Sequence, residues 1–233
     1  GRIPIVGVSG SRGTTQIARL VAWLMQLSGV RVGVACGDGL FVGTRQLEAG
    51  DCAHWEPGQR LLINRNVEAA VFENGPMSLL TEGLAYDRCW VGIVTDSQPV
   101  PGLDEQLMTE AEHRFKILRT QVDVVVETGA AVLNATDETV LDMARLCDGD
   151  VLLYAADGQH QALVAHREAG KRVLFIDDGH LVCAHRSQPA DGRRHRPPCP
   201  CPRLDRLIPP PFPRSSHDHQ HRPPPGPDPR GAS

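Results

Sequence analysis

The stretch Val6-Gly7-Val8-Ser9-Gly10-Ser11-Arg12-Gly13-Thr14-Thr15 constrains this chain more than any other. An apolar strand, Ile3 to Val8, runs into a short turn carrying Gly10 and Gly13. An amphipathic helix is predicted from about Thr15, with Ile17, Leu20, Val21, Leu24 and Leu27 at helical spacing. Strand, glycine turn and helix in this order make a cradle for an anion. Glycines let backbone N–H groups face inward, and the helix N-terminus adds its partial positive charge. The usual phosphate-loop pattern, G-x-x-x-x-G-K-S/T, adds a lysine for the outer phosphates and a hydroxyl for Mg²⁺. Here Thr14 stands at the lysine position and Thr15 at the hydroxyl position, so the loop keeps its outline and lacks its central charge.

Strand and helix signals alternate along the rest of the chain. Val30 to Ala35 reads as a strand, Gly37-Asp38-Gly39 as a turn, and Leu40 to Arg45 as one arm of a hairpin. A loop with His54, Trp55 and Pro57 precedes a buried strand from Val67 to Glu73. Further strands are predicted at Tyr86 to Thr95, Ala131 to Asn134, Val151 to Ala155, Val173 to Ile176 and Leu181 to Cys183. Helical patterns fall at Asp104 to Arg119, Thr136 to Cys147 and Gln161 to Ala169, and Val122 to Val126 is strongly apolar. Glu127-Thr128-Gly129 and Asp177-Asp178-Gly179 read as turns. Such alternation predicts an α/β fold of three layers around a mostly parallel sheet. Ligands sit at the C-terminal edge of the strands in open sheets of this kind, which makes Glu73 a candidate for a metal or phosphate-side role.

From about residue 187 the character changes to a Pro-, Arg- and His-rich sequence with few large apolar residues. Residues 1–186 are therefore expected to form the folded domain and 187–233 a disordered tail. The tail suits a proline-rich interaction segment, a weak metal site at His217-Asp218-His219-Gln220-His221, or an out-of-frame translation of GC-rich DNA. The opening Gly1-Arg2, without methionine, suggests a fragment. A formal net charge of −4 argues against nucleic acid or a membrane surface as the main partner. No apolar run approaches a membrane span, and the seven scattered cysteines suit reduced, buried thiols, so a soluble cytoplasmic protein is expected.

Several segments together resemble the Mur-ligase-like part of cyanophycin synthetases, which build an aspartate–arginine polymer without a ribosome. They include Ile3-Pro4-Ile5 before the loop, Asp38-Gly39-Leu40-Phe41-Val42-Gly43, Leu47-Glu48-Ala49-Gly50-Asp51-Cys52, Gly83-Leu84-Ala85-Tyr86-Asp87-Arg88-Cys89, Val91-Gly92-Ile93-Val94-Thr95 and Ala131-Val132-Leu133-Asn134-Ala135-Thr136-Asp137. The resemblance implies a central domain of the Mur ligase type and an ATP- and Mg²⁺-dependent amide ligase. In that chemistry a polymer carboxylate becomes an acyl phosphate, which an arginine amine attacks. It further implies nucleotide contacts from Gly10, Ser11, Arg12, Gly13, Thr14 and Thr15, metal contacts from Thr15 and Glu73, and an adenine-side role for Asn134 and Asp137. Implied partners are cyanophycin or its aspartate and arginine building blocks, further copies of the chain, or an active synthetase.

The departures from the family fall on the chemistry. Thr14 replaces the loop lysine, and Asn74-Gly75-Pro76-Met77-Ser78 replaces a Thr-Ala-Arg-Gly-Gly run after Glu73. Asp96-Ser97-Gln98-Pro99-Val100-Pro101-Gly102 stands where the family carries Asn and then Asp-His-Leu-Gly. Losing one electrostatic contact of this kind typically costs about 3–4 kcal/mol of transition-state stabilisation. The sequence thus suggests a degenerate or truncated ligase domain with impaired catalysis, or a non-catalytic pseudo-ligase that is a structural or regulatory partner of an active synthetase. No catalytic residue is singled out.

Overall fold

The computed structural model describes residues 3–100 and 111–185. Their elements are β1 (Ile5–Ser9), α1 (Thr14–Gln26), β2 (Val32–Cys36), β3 (Gly39–Val42), β4 (Arg45–Ala49), α2 (Trp55–Leu62), β5 (Ala69–Asn74), α3 (Pro76–Thr81) and β6 (Cys89–Val94). There follow α4 (Ala111–Asp123), β7 (Val125–Asn134), α5 (Glu138–Leu141) with a 3-10 turn Asp142–Leu146, β8 (Asp150–Asp157), α6 (Gln161–Glu168), β9 (Arg172–Asp177) and β10 (His180–His185). The tail from 187, the early part of the helix expected from Asp104, and Cys199 and Cys201 lie outside the described residues.

All strands join one sheet in the order β10-β9-β8-β7-β6-β1-β5-β2-β3-β4. The run from β9 to β2 is parallel, while β10 on one edge and β3 and β4 on the other are antiparallel. Strand β1 sits between β5 and β6, and the chain builds outward from it in one direction and then in the other. Residues alternate between faces along these strands. Val6, Val8, Val32, Val34, Ala69 and Val71 pack with Ala18, Ala22 and Met25 of α1. On the opposite face Ile5, Ala35, Ala70 and Phe72 pack with Leu61 of α2. Helices α3 to α6 contribute Leu79, Ile117, Leu118, Val122, Val140 and Leu163 to a further cluster against β6 to β9. Around β1 the sheet is therefore sandwiched between helices, the three layers expected from the alternation.

Four local expectations differ from the structure. In α1 the face toward the sheet is Thr14, Ala18, Ala22 and Met25, and Leu20, Leu24 and Leu27 point outward. The helix is apolar around most of its circumference, so spacing alone does not choose a face; the small alanines do, because they allow close approach to the sheet. The stretch expected to be a loop around His54 forms α2. Pro57 lies in its first turn, where no intrahelical N–H is needed, and Gly58 packs so closely that a Cβ would lie 2.6 Å from Ala85. Helix α3 was not expected, and Pro76 at its start suits that position. Glu127 to Gly129 is no turn between strands but an irregularity inside β7: Val125 faces Cys89 and Ala130 faces Val91, so the intervening residues bulge out of the ladder.

The turn at Asp178-Gly179 behaves as expected, with φ of 47° and 72° joining β9 to β10. Cys36, Cys52 and Cys89 are buried, and no described cysteine is in a disulfide. Burial pushes the Cys89 thiol up to about 12, which keeps it protonated and unreactive. Among the described residues no helix is long and apolar enough to cross a membrane.

Candidate functional site

The turn after β1 opens where the strand order reverses, flanked by the C-terminal ends of β5 and β6. Gly10 (φ 148°) and Gly13 (φ 69°) take the positive-φ conformations that the turn requires. A side chain at Gly10 would also collide with the neighbouring strand end, since its Cβ would lie 1.9 Å from Thr95 Oγ1. Gly13 is the N-cap of α1, so the helix begins at the threonine in the lysine position.

That threonine turns inward. Thr14 is buried, and its hydroxyl donates to Glu73 Oε1 at 2.6 Å. Glu73 also accepts from the Thr15 hydroxyl at 2.8 Å and from the Gly37 N–H at 2.7 Å. Thr15 and Glu73, the two candidate metal contacts, are thus brought together, but donors from α1 and from the turn after β2 share the carboxylate. No group of three or more His, Cys, Asp and Glu side chains among the described residues could hold a metal.

On the other side of the loop stands Asp96, just beyond β6. The Ser11 N–H donates to its carboxylate at 3.2 and 3.3 Å, and the Ser11 hydroxyl donates to it as well. Further donors are the Thr95 hydroxyl at 2.9 Å and the Gln98 N–H at 3.2 Å. Burial alone would push the Asp96 carboxyl up, but the hydrogen bonds from Ser11, Thr95 and Gln98 together outweigh it and hold the group below its ordinary 3.8. Asp96 is therefore ionised throughout the neutral range. Arg12 is exposed on the turn.

Asn134 and Asp137 lie farther along the same edge of the sheet, at and after the end of β7. The Asn134 amide donates to the Thr95 carbonyl at 2.9 Å, and its oxygen accepts from the Thr136 N–H and hydroxyl at 3.0 and 2.8 Å. Asp137 accepts from the Ser97 N–H at 2.7 Å and the Ser97 hydroxyl at 2.9 Å, and caps α5 by accepting from the Val140 N–H at 3.1 Å. Tyr154 reaches toward the same place, its hydroxyl 3.5 Å from the Thr95 carbonyl. Burial, and after it the charges of Asp96 and Asp137, push its phenol up to about 12. Ser11, Thr14, Thr15, Glu73, Asn134 and Asp137 thus all fall on one sheet edge, in two groups: Thr14 and Thr15 meet at Glu73, while Ser11, Asn134 and Asp137 meet Asp96, Thr95 and Ser97 in turn.

Beneath the loop is a buried polar cluster that sequence reasoning did not find. Gln121 of α4 is fully buried, and its Oε1 accepts from the Asn74 amide at 2.8 Å and the Tyr86 hydroxyl at 3.0 Å. It packs onto β1 at Gly7, where a Cβ would lie 2.1 Å from the Tyr86 hydroxyl and 2.4 Å from the Gln121 amide. Asn74 and Tyr86 stand in segments visible as strand ends, yet nothing in their spacing links them to a glutamine some way down the chain. Asp96 could have been found, because it follows a strand predicted to end beside the loop.

No family model matches this chain. It is 31% identical over 181 residues to a cyanophycin synthetase of Synechocystis sp. and 30% identical over 181 residues to one of Crocosphaera subtropica. Each match takes in 77% of this chain and 20% of the relative, so the chain spans about one fifth of the length of these curated relatives. Among solved structures, a UDP-N-acetylmuramoyl-L-alanyl-D-glutamate–2,6-diaminopimelate ligase superposes with a TM-score of 0.55 at 15% identity, over 75% of this chain and 34% of that one. E. coli FolC in complex with DHPP and ADP superposes with a TM-score of 0.53 at 15% identity, over 79% of this chain and 47% of that one. At these identities the two structures speak for the fold alone. Together, the sequence matches and the shared fold make this chain a relative of the cyanophycin synthetases, corresponding to their Mur-ligase-like domain.

Proposed function

We propose that the chain is an ATP-dependent amide ligase domain by descent whose catalysis is impaired, so that it acts as a non-catalytic, structural or regulatory module beside an active synthetase. The relatives named cyanophycin synthetase support the descent, and with it aspartate and arginine groups as the substrate class of the lineage. The observation that carries the impairment is the set of groups around the loop. A polyphosphate needs inward-facing N–H groups and cations that neutralise its charge. Here the Ser11 N–H is spent on Asp96, the residue in the lysine position donates its hydroxyl to Glu73, and the acceptors of both, half-buried Asp96 and buried Glu73, are carboxylates. This donor set does not fit a nucleotide triphosphate.

A Mg²⁺ pair of Thr15 and Glu73 remains geometrically coherent, which suits a site descended from a nucleotide-binding one. The reading is tested by turnover. Supplied with ATP, Mg²⁺, an aspartate polymer and arginine, the 233-residue chain is expected to release no phosphate above the protein-free blank. Steady phosphate release that depends on arginine would contradict it.

A further inference from the structure

We infer that Asp96 is the residue that closes the loop to phosphate: its carboxylate occupies the Ser11 donors, so the loop carries an internal anion in place of an external one. The inference rests on the proposed loss of catalysis and names a second cause for it, separate from the missing lysine. Ser11 lies between Gly10 and Gly13, where an anion cradled by the loop would take backbone N–H groups. Both the N–H and the hydroxyl of Ser11 instead point at Asp96.

Asp96 is itself fixed from behind. The Thr95 hydroxyl and the Gln98 N–H donate to it, and the Thr95 N–H donates to the Ser9 carbonyl at 3.0 Å, which ties the end of β6 to the end of β1. Gly10 leaves no side chain between the two segments; Asp96 Oδ2 lies 3.2 Å from where its Cβ would be. The contact is thus part of the folded sheet edge and not a chance meeting of exposed groups. An incoming phosphate would have to displace a carboxylate that is already well solvated by the protein, and then share the cradle with its charge. A lysine restored at position 14 would leave both obstacles in place.

The test uses four full-length proteins: the wild type, Thr14→Lys, Asp96→Asn and the double variant. Each is titrated calorimetrically with inorganic triphosphate in the presence of Mg²⁺, a probe that reads the loop without adenine contacts. Asparagine keeps the shape of the side chain and one acceptor for Ser11, and removes the charge. Asp96→Asn in the Thr14→Lys background is expected to tighten binding by at least about tenfold, the scale of one like-charge contact removed from an anion site. Equal affinities for Thr14→Lys and the double variant would overturn the inference, as would silence from a double variant whose thermal melt is cooperative. Should Asp96→Asn fail to fold, Asp96→Ser makes the same comparison, with the same two outcomes. The proposed loss of catalysis is judged separately, by the wild type's turnover, and can stand or fall whichever way the affinity ratio comes out.

Discussion

At the scale of single residues, two groups near the loop carry measurable consequences. The Asp96 carboxyl titrates lower in the folded chain than its ordinary 3.8, because its hydrogen bonds outweigh its burial. A depressed folded value means that the carboxylate contributes stability above the unfolded value, and that this contribution disappears as pH falls through the folded one. Wild type is therefore expected to lose stability more steeply than Asp96→Asn as pH drops below 3.8, in urea melts collected across the acid range. Parallel slopes would contradict the hydrogen-bonded geometry. Gln121 is the second group. Replacing it with leucine leaves the buried Asn74 amide and Tyr86 hydroxyl without their shared acceptor, which is expected to cost about 1–3 kcal/mol in urea unfolding. A loss below about 0.5 kcal/mol, the range of ordinary surface changes, would mean that the cluster is not a structural support for the loop.

At the scale of elements, α1 decides how the loop is presented. Ala18 and Ala22 press onto β1, β2 and β5, while Leu20 is 55% exposed. Ala22→Leu is expected to cost about 1–3 kcal/mol through overpacking. Leu20→Ala is expected to stay within about 0.5 kcal/mol. Chemical denaturation of the two variants checks both, and the reverse order would show that the outward leucines form the buried face. This helix also marks where sequence reading stops. Its position followed from the strand and glycine turn before it, but its orientation depends on which side fits the sheet, a tertiary matter. The parallel strands were legible because buried apolar runs such as Ala69 to Phe72 are separated by turns and helical patterns. Helices α2 and α3 are too short to display a periodicity, so only their prolines hinted at them. Glu73 was legible as a strand end beside the loop; the engagement of its carboxylate by Thr14, Thr15 and Gly37 was not, because those partners come from separate segments.

At the scale of the whole molecule, the proposed function separates the scaffold from the chemistry. The sheet order and the crossing at β1, with the glycine turn beside it, are those of an open, mostly parallel α/β sheet, and the fold is shared with a Mur ligase and with FolC. The groups aimed into the crevice are hydroxyls and carboxylates bonded to one another. Such a domain keeps its shape because strand pairing and packing do not depend on the charge at position 14. The proposed loss of its reaction follows from the dependence of phosphoryl transfer on cations and free donors at that one edge. Both halves of this account meet in the affinity of the unmodified protein for nucleotide. Isothermal titration of the wild-type chain with Mg-ATP is expected to give no binding up to millimolar concentration, from a protein that melts cooperatively. Mg²⁺-dependent affinity in the micromolar range would contradict the account.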